Sequence, residues 1–301
     1  MFRRKEKEIA KDYQRRTGSQ GATFENQVRR MLRENKAAAV SLAVIVILFI
    51  LAAISPLIAG YGETKMDLLH RLEAPSGAHL LGTDEGGRDV LSRLLYGSRI
   101  SLLVGVVPTL LSMTLGAALG VLAGYKGGIM DAVIMRLADV VLAFPSILLA
   151  MVIMYTLGDG LINVFLTLTL LNWGSVARVV RAETMKLKNS EYVTAARCIG
   201  TPRGRIMRKH ILPNCMPTLI VLFTLNVPGA ILTESSLSFL GLGIQPPSAS
   251  WGLMVNAGRQ YLANAPWLCF APCGAILITV LAFNFLGDGL RDAMDPRQKK
   301  R

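Results

Sequence analysis

Long apolar stretches separated by short polar segments occupy most of this chain. Six of the stretches contain no charged residue: Ala37 to Gly60, Ile100 to Gly124, Val140 to Gly158, Gly160 to Ala177, Ile211 to Thr233 and Pro266 to Gly287. Each is near or above the roughly 18 residues that a membrane-spanning helix needs. The pattern therefore predicts an all-α integral membrane protein with six transmembrane helices.

The composition agrees with this picture, because 52% of the residues are hydrophobic and only 18% are charged. Those values are too apolar for an ordinary soluble domain. The first apolar stretch is too long for the core of a signal peptide and is expected to remain as an anchor. The predicted organisation is an N-terminal tail (1–36), a first transmembrane helix (37–60), a segment with an interfacial helix (61–99), a five-helix core (100–288) and a C-terminal tail (289–301).

The placement of the charges predicts the topology. The net charge is +13, and Lys and Arg concentrate in residues 1–36, 178–210 and 289–301. By contrast, residues 61–99 carry five basic against six acidic residues, and residues 244–265 carry a single Arg. The positive-inside rule then predicts cytoplasmic N- and C-termini and two extracytoplasmic segments. A nucleic-acid interface is less favoured, since the basic clusters flank spans and lack interleaved aromatics.

Two segments outside the apolar stretches are expected to be helical. Residues 24–36 (FENQVRRMLRENK) fit either a helix on the lipid surface or a solvated leader. Residues 90–95 place four apolar side chains on one face, which predicts a helix along the outer interface that leads into the second span.

The second span carries glycines at positions 116, 120 and 124. Because this spacing leaves one helix face without side chains, it predicts close approach of a neighbouring helix. The sequence GYKGG (124–128) predicts a tight cytoplasmic turn into the third span.

A few polar residues fall within the predicted spans. Arg136 and Asp139 can meet on one helix face, and an inter-helix ion pair near the cytoplasmic end is favoured over a gate. Asn226 and Pro228 in the fifth span predict a bend or break that lines a cavity. Glu234, near the outer end, is either a residue of the translocation path or a capping or pairing group at the interface.

The cysteines and histidines give no metal or disulfide pattern. Cys269 and Cys273 lie one turn apart in the last span, where apolar packing is favoured over a metal pair. Cys198 and Cys215 are expected in the reducing cytoplasm. His79 has no second ligand nearby in the sequence, so a surface residue is favoured over a metal ligand.

The stretch TAARCIGTPRGRIMRKHILPN (194–214) predicts two short helices joined by a sharp turn. Asn189 or Ser190 can cap a helix that begins at Glu191, an acid suited to the helix dipole. Gly200 can take the left-handed conformation that ends this helix.

The second helix of this stretch is expected to begin with Thr201 as its cap and Pro202 at its first position, and Pro213 is expected to end it before the fifth span. Ala195 and Ala196 leave a low surface on which another protein can seat. Attraction to anionic lipid is the alternative, although lipid requires only charge and not this spacing.

The spacing resembles the cytoplasmic loop of permease subunits in binding-protein-dependent ABC importers. That pattern is Glu-Ala-Ala, three residues, Gly, nine residues, Ile, one residue and Leu-Pro. The positions in register are Ala195, Ala196, Gly200, Leu212 and Pro213, while Thr194 replaces the Glu and His210 replaces the Ile.

Three further stretches look like the second permease subunit of the dipeptide, oligopeptide and nickel importers. They are HLLGTDEGGRDVLSRLLYGSRISL (79–102), SLSFLGLGIQPPSASWG (236–252) and ITVLAFNFLGDGLRDAMDPR (278–297). The resemblance covers roughly residues 37 to 297.

The resemblance implies a type I ABC importer permease fold in a bacterial cytoplasmic membrane, with residues 189–213 as the coupling loop. The implied partners are a homologous permease in a heterodimer, two ABC ATPases, an extracytoplasmic peptide-binding protein and membrane lipid. ATP and Mg would be bound by the ATPases, because this chain lacks a glycine-rich loop ending in Gly-Lys-Ser/Thr. The docking surface for the binding protein would be residues 61–99 and 244–265.

The expected cargo is a dipeptide or oligopeptide, and nickel is the alternative. His70, His79 and His210 all fall outside the spans, which favours peptide over a metal route. An ion-coupled secondary transporter is more remote, since it would need several intramembrane carboxylates and broken helices in two halves. A membrane-embedded enzyme is remote as well, because no span contains His and no nucleophile elbow occurs.

Overall fold

A computed structural model describes residues 24–294, with side chains from residue 29 onward. Within this range the chain is helical, apart from loops and one isolated β-bridge between Thr83 and Asp89. The α-helices are α1 Phe24–Glu34, α2 Lys36–Ile58, α3 Val90–Lys126, α4 Gly128–Ala143, α5 Ser146–Leu157, α6 Leu161–Leu187, α7 Glu191–Cys198, α8 Arg203–Ile206, α9 Leu212–Phe239, α10 Trp251–Gly258 and α11 Trp267–Met294.

Five of the six predicted spans are long apolar helices, formed by α2, α3, α6, α9 and α11. The third span differs from the prediction, which counted the apolar stretch Val140 to Gly158 as one transmembrane helix. Here α4 and α5 meet at an angle of 94°. The residue before a proline is driven away from helical geometry, and Phe144 before Pro145 is extended at φ −91° and ψ 143°. The break therefore follows from a single Pro that a composition-based span prediction ignores.

The most extensive helix pair in the described chain joins α3 and α6. The predicted glycine face of α3 makes this contact, and a Cβ added at Gly120 would lie 2.6 Å from the Ala177 carbonyl oxygen. Added Cβ atoms at Gly116 and Gly124 would come within 2.7 and 2.8 Å of α6 in the same way. The prediction of close helix approach is confirmed.

The predicted interfacial helix over residues 90–95 is not a separate element. These residues form the first turns of α3, which continues for 37 residues and is therefore about 55 Å long. Asp89 caps its start by accepting a 2.7 Å hydrogen bond from the Ser92 backbone N–H. The turn at the other end, through Gly127 and Gly128 with positive φ, is as predicted.

The fifth span was predicted to bend or break at Pro228. It does not break, since α9 runs continuously through Pro217 and Pro228, and a bend stays a prediction. Pro228 is buried, and its neighbours Val227 and Ile231 pack into a cluster with α2 and α11. Tertiary packing holds the helix together at a residue that cannot donate the usual hydrogen bond.

The N-terminal helix α1 forms as expected but rests on the protein itself. Met31 is 5% exposed and packs in the cluster that contains Leu286 and Leu290 of α11. Neither a helix lying wholly on lipid nor a solvated leader describes this contact. Of the two predicted tails, residues 1–23 and 295–301 lie outside the described residues.

The two predicted extracytoplasmic segments meet at one end of the bundle, called here the loop end. The Ala249 backbone N–H donates a 2.6 Å hydrogen bond to the Glu63 carboxylate. Trp251 is 1% exposed, and its indole N–H donates to the Leu94 carbonyl oxygen at 3.1 Å. The segments therefore form one continuous surface, although the sequence separates them by more than a hundred residues.

Candidate functional site

The opposite end of the bundle carries the predicted pair of short helices, α7 and α8, called here the elbow. Helix α7 begins at Glu191, as expected. Ser190 occupies the capping position, but its side chain makes no capping hydrogen bond. Its hydroxyl donates instead to the Leu187 carbonyl oxygen at 2.6 Å, which ties the start of the elbow to the end of α6.

Gly200 ends α7 in the predicted way, with φ at +79°. The Thr201 N–H donates to the Ala196 carbonyl oxygen at 3.0 Å, and the Gly200 N–H donates to that of Arg197 at 2.9 Å. This pair of bonds is the Schellman motif, in which a left-handed glycine satisfies the last carbonyls of a helix. The sharp turn between the two helices is confirmed.

The second half of the elbow departs from the prediction in two details. Pro202 rather than Thr201 occupies the capping position of α8. Pro213 does not end the helix, because α8, a π-helical turn at Met207–Ile211 and α9 follow one another without a break. In the π turn the Leu212 N–H donates to the Met207 carbonyl oxygen five residues earlier. Such a turn is a common way to accommodate a disturbance in the hydrogen-bond ladder, here a Pro without an N–H.

The elbow is packed onto the spans by a hydrophobic cluster. Residues of α3, α6 and α9 enclose its buried side chains. The elbow contributes Val193, Ala196 and Ile206, which are at most 6% exposed. Leu212 is partly buried against the same cluster. These contacts join the elbow to three spans.

One face of α7 remains open. Tyr192, Ala195 and Ile199 follow the three- and four-residue spacing of one helix face, and Ile199 is 83% exposed. Of the two alanines predicted to form a seating surface, Ala195 is exposed on this face, whereas Ala196 points into the cluster; the seating role of Ala195 stays a prediction. Ile199 was missed by the sequence analysis, although its position one residue before the predicted helix end, in register with Ala195, was a usable signal.

His210 of the predicted coupling loop lies in the π turn, with its ring 6.5 Å from that of Tyr192. This contact joins the π turn to the open face of α7. The coupling residues predicted from the sequence are therefore brought into one compact structure at one end of the bundle.

The charged residues predicted for the path pair differently from expectation. Asp139 accepts a hydrogen bond from Arg178 of α6 at 2.5 Å, so the inter-helix ion pair is present. The contact between Arg136 and Asp139 is not present, and Arg136 is exposed without an ion pair among the described residues. A second pair, Asp131 with Arg181, links the same helices and was not predicted. The roles of Arg136 and Asp139 in a path stay predictions.

Glu234 is completely buried at the loop end of α9. One carboxylate oxygen, Oε1, accepts hydrogen bonds from the Ser238 and Ser250 hydroxyls at 2.7 and 3.0 Å. Ser250 in turn caps α10 by accepting from the Leu253 N–H at 3.1 Å. These contacts correspond to the capping and pairing alternative, whereas a role for Glu234 in the path stays a prediction.

Asn226 is half-buried, and its side-chain amide donates to the Leu222 carbonyl oxygen of its own helix at 2.7 Å. The role of Asn226 and of Pro228 in a translocation path stays a prediction as well.

The histidines at the loop end are held by carboxylates. Nδ1 of His79 lies 2.9 Å from Asp89 and its ring stacks near Tyr61, so His79 is largely buried rather than a surface residue. His70 pairs with Asp67, whose hydrogen bond raises the pKa of the imidazole, while the same hydrogen bond lowers the pKa of the Asp67 carboxyl. No group of three or more potential metal ligands occurs within residues 24–294.

Two family models match the chain. The model for the binding-protein-dependent transport system inner membrane component matches residues 116–300, and the model for the N-terminal TM domain of oligopeptide transport permease C matches residues 23–75.

Relatives and a solved structure agree with these matches. The chain is 42% identical to the oligopeptide transport system permease protein OppC of Bacillus subtilis over 89% of this chain and 88% of that protein. It is 43% identical to the dipeptide transport system permease protein DppC of the same organism over 90% and 85%. A chain of the MetNI methionine ABC transporter in an inward-facing conformation shares the fold at a TM-score of 0.51 and 19% identity, covering 67% of this chain and 97% of that one. The fold is thus that of a type I ABC importer permease, and the chain belongs to the family of inner membrane components of binding-protein-dependent transport systems.

Proposed function

We propose that this chain forms half of the membrane path of an ATP-driven importer for dipeptides or oligopeptides. The observation that supports the proposal is the structure of the elbow. Its helix α7 exposes a face of Tyr192, Ala195 and Ile199, while its opposite side packs onto three spans. The relatives named as oligopeptide and dipeptide permeases support the cargo.

The elbow would seat in a groove of a partner ATPase. Closure of two ATPases around ATP and Mg would push the elbow and rock the spans between inward- and outward-open states. The Schellman turn and the cluster beneath it suit this task, because a rigid element transmits a displacement that a flexible loop would absorb. The chain would thus bind no nucleotide itself and use hydrolysis carried out by its partners.

The elbow end would face the cytoplasm and the loop end the exterior, in agreement with the charge asymmetry. An extracytoplasmic binding protein would dock on the joined surface of residues 61–99 and 244–265 and release its peptide into the path. A homologous permease would complete that path as the other half of a heterodimer. The bent pair α4 and α5 offers an exposed apolar surface for this partner or for lipid, including Leu137, Leu148 and Tyr155.

Nickel remains the second candidate cargo, and no specific observation favours it. His70 and His79 both lie at the loop end with their Nδ1 atoms engaged by carboxylates, and His210 lies in the π turn at the elbow end of the helix Arg203–Phe239. An ion-coupled mechanism is disfavoured because Asp131 and Asp139 are neutralised by arginines of α6.

The proposal is tested by purifying the native complex and identifying its subunits and bound ligand. Reconstituted with its partners, the variant Ile199→Asp should insert normally but lose peptide uptake, because a carboxylate replaces the apolar contact to the ATPase. Ile199→Leu keeps that contact and serves as the control. Normal uptake by the Asp variant, or uptake by this chain with no ATPase present, would contradict the assignment.

A further inference from the structure

A pocket of about 410 Å³ opens between the elbow and the ends of two spans. Its volume falls within the range of small-ligand sites. Its wall is formed by the end of α3, the residue after α6 and both halves of the elbow. The side chains used in the argument are Tyr125, Lys126, Lys188, Arg197, Thr201 and Arg203.

The pocket carries positive charge that no acidic residue of its lining balances. Four of its lining residues are Lys or Arg, and none is Asp or Glu. Three basic residues of α6, Arg178, Arg181 and Lys186, do have carboxylate partners, whereas Arg205 and Arg208 of the elbow region form no ion pair in the described part of the chain but lie outside the pocket. The four pocket cations form no ion pair with any residue that the structure describes. Like charges gathered in one concave space repel one another, so an anion would relieve this repulsion.

Contacts within the chain hold two of the pocket cations in place. The ring of Tyr125 is 6% exposed, and it lies 5.4 Å from the Arg197 guanidinium and 5.8 Å from the Lys188 ammonium. One N–H of Arg197 donates to the Lys188 carbonyl oxygen at 3.0 Å. The guanidinium is thereby fixed by a cation–π contact and a hydrogen bond, and its remaining N–H groups stay available. No hydrogen bond of the Thr201 hydroxyl is found in the described part of the chain.

We propose that this pocket binds a phosphate group, carried by an anionic phospholipid headgroup or by free phosphate. Arg and Lys are the usual phosphate ligands in proteins, and basic pockets between spans at a cytoplasmic surface bind anionic headgroups. The ligand would contact Lys126 and Lys188 at the span ends together with Arg197 and Arg203 on the elbow. It would therefore brace the elbow against the bundle.

The proposal concerns contacts within this chain and stands apart from the cargo and the ATPase assignment. It is tested on the full chain in an uncharged detergent. Bound phosphatidylglycerol is counted by native mass spectrometry, with phosphatidylcholine of the same chain length as the reference, and bound inorganic phosphate is measured by equilibrium dialysis. The test variant is Lys126→Gln with Arg203→Gln, two exposed side chains with no hydrogen bond in the described structure. The matched control, Arg205→Gln with Arg208→Gln, removes two charges from the same end of the bundle but outside the pocket.

The expected result is that phosphatidylglycerol or phosphate binds the unaltered chain and that the test variant loses roughly fivefold in affinity for each charge removed. The control should remain within about twofold, because its two charges lie outside the pocket. General surface attraction alone would lower the affinity of both variants equally. Phosphatidylglycerol binding assigns the lipid as the source, and phosphate binding assigns the free anion.

Two outcomes would contradict the proposed phosphate site. In the first, neither anion binds above the reference; in the second, both double variants lose affinity equally. A third outcome that would contradict the phosphate site can be measured in the native complex. If the test variant binds anions like the unaltered chain but no longer retains its ATPase partner, the pocket receives an acidic group of a protein rather than a phosphate.

Discussion

Asp131 and Arg181, fifty residues apart, face each other in a two-point ion pair with N–O distances of 2.5 and 2.6 Å. The pair joins the first turn of α4 to the last third of α6, where both side chains are no more than about one-third exposed. Charges within an apolar bundle are costly unless they are paired. The bent α4–α5 unit is thereby fixed to the α3–α6 pair.

Replacing Asp131 by Asn should destabilise the protein by about 1–3 kcal/mol, because the Arg181 guanidinium is left without its counter-charge. The exchange of both residues, Asp131→Arg with Arg181→Asp, should recover most of the loss. The midpoint of thermal unfolding in detergent checks both changes. The pair Asp139–Arg178 is half-exposed, so Asp139→Asn should cost only about 0–1 kcal/mol and serves as the control. Equal losses at the two aspartates would contradict the structural importance of the Asp131 pair.

Gly120→Ala should impair the packing of α3 against α6. The new Cβ would lie 2.6 Å from the Ala177 carbonyl oxygen and 2.9 Å from the Val180 Cβ, and backbone cannot give way cheaply. Overpacking of this kind costs roughly 1–3 kcal/mol. Gly229→Ala in α9 is the matched control, because no atom lies within 4 Å of its added Cβ. Unfolding temperature and the yield of monodisperse protein should fall for the first variant and not for the second.

Glu234→Ala should loosen the loop end, because the hydroxyls of Ser238 and Ser250 lose their shared acceptor. Hydrogen exchange of residues 249–258 should accelerate, since Ser250 caps α10. Glu234→Gln keeps a carbonyl oxygen in place of Oε1 and should preserve the protection. Its transport rate then tests the path hypothesis separately: altered uptake with normal protection supports a path role, and normal uptake with normal protection rejects it.

The loop end should respond to pH through His70 and Asp67. The pKa of His70 is raised from its ordinary value of 6.5 and that of Asp67 is lowered from 3.8, chiefly by their mutual hydrogen bond. The pair therefore stabilises the folded loop between the ordinary Asp and His values, and this contribution is lost as the pH rises through the raised pKa of His70 or falls through the lowered pKa of Asp67.

Histidine-selective NMR of the full chain tests this prediction by measuring the titration midpoint of His70. Asp67→Asn should lower the titration midpoint of His70, because the charged acceptor is removed. The midpoint would remain unchanged if the two side chains did not interact. Both groups are exposed, so added salt should weaken the charge component of the effect in the unaltered chain.

Much of this fold was accessible from local patterns. The apolar runs located five spans, the glycine spacing at 116, 120 and 124 identified the close helix face, and Gly200 marked the turn of the elbow. These features depend on neighbours in the sequence or on the conformational freedom of one residue, so a linear pattern contains them.

Several of the wrong predictions share a physical cause, which is competition from distant contacts. Arg178 outcompetes Arg136 for Asp139 because it approaches from another helix. Pro228 stays within a continuous helix because its surroundings are packed, whereas Pro145 lies at a break where Phe144 is extended. The orientation of Ala196 toward the cluster likewise depends on the spans beneath it. These three outcomes, at Asp139, Pro228 and Ala196, are decided by residues far away along the chain, whereas the break between α4 and α5 follows locally from Pro145.

The uninterrupted run of helix from Arg203 to Phe239 has a mechanical consequence. Its 37 residues form a strut of about 55 Å, with the elbow at one extremity and Glu234, bonded to the cap of α10, near the other. Tilting such a strut about its middle moves the two extremities in opposite directions at the same moment. A ligand that binds at the exterior and an ATPase that acts in the cell interior would therefore act on one rigid helix, and a movement of either end would move the other end as well.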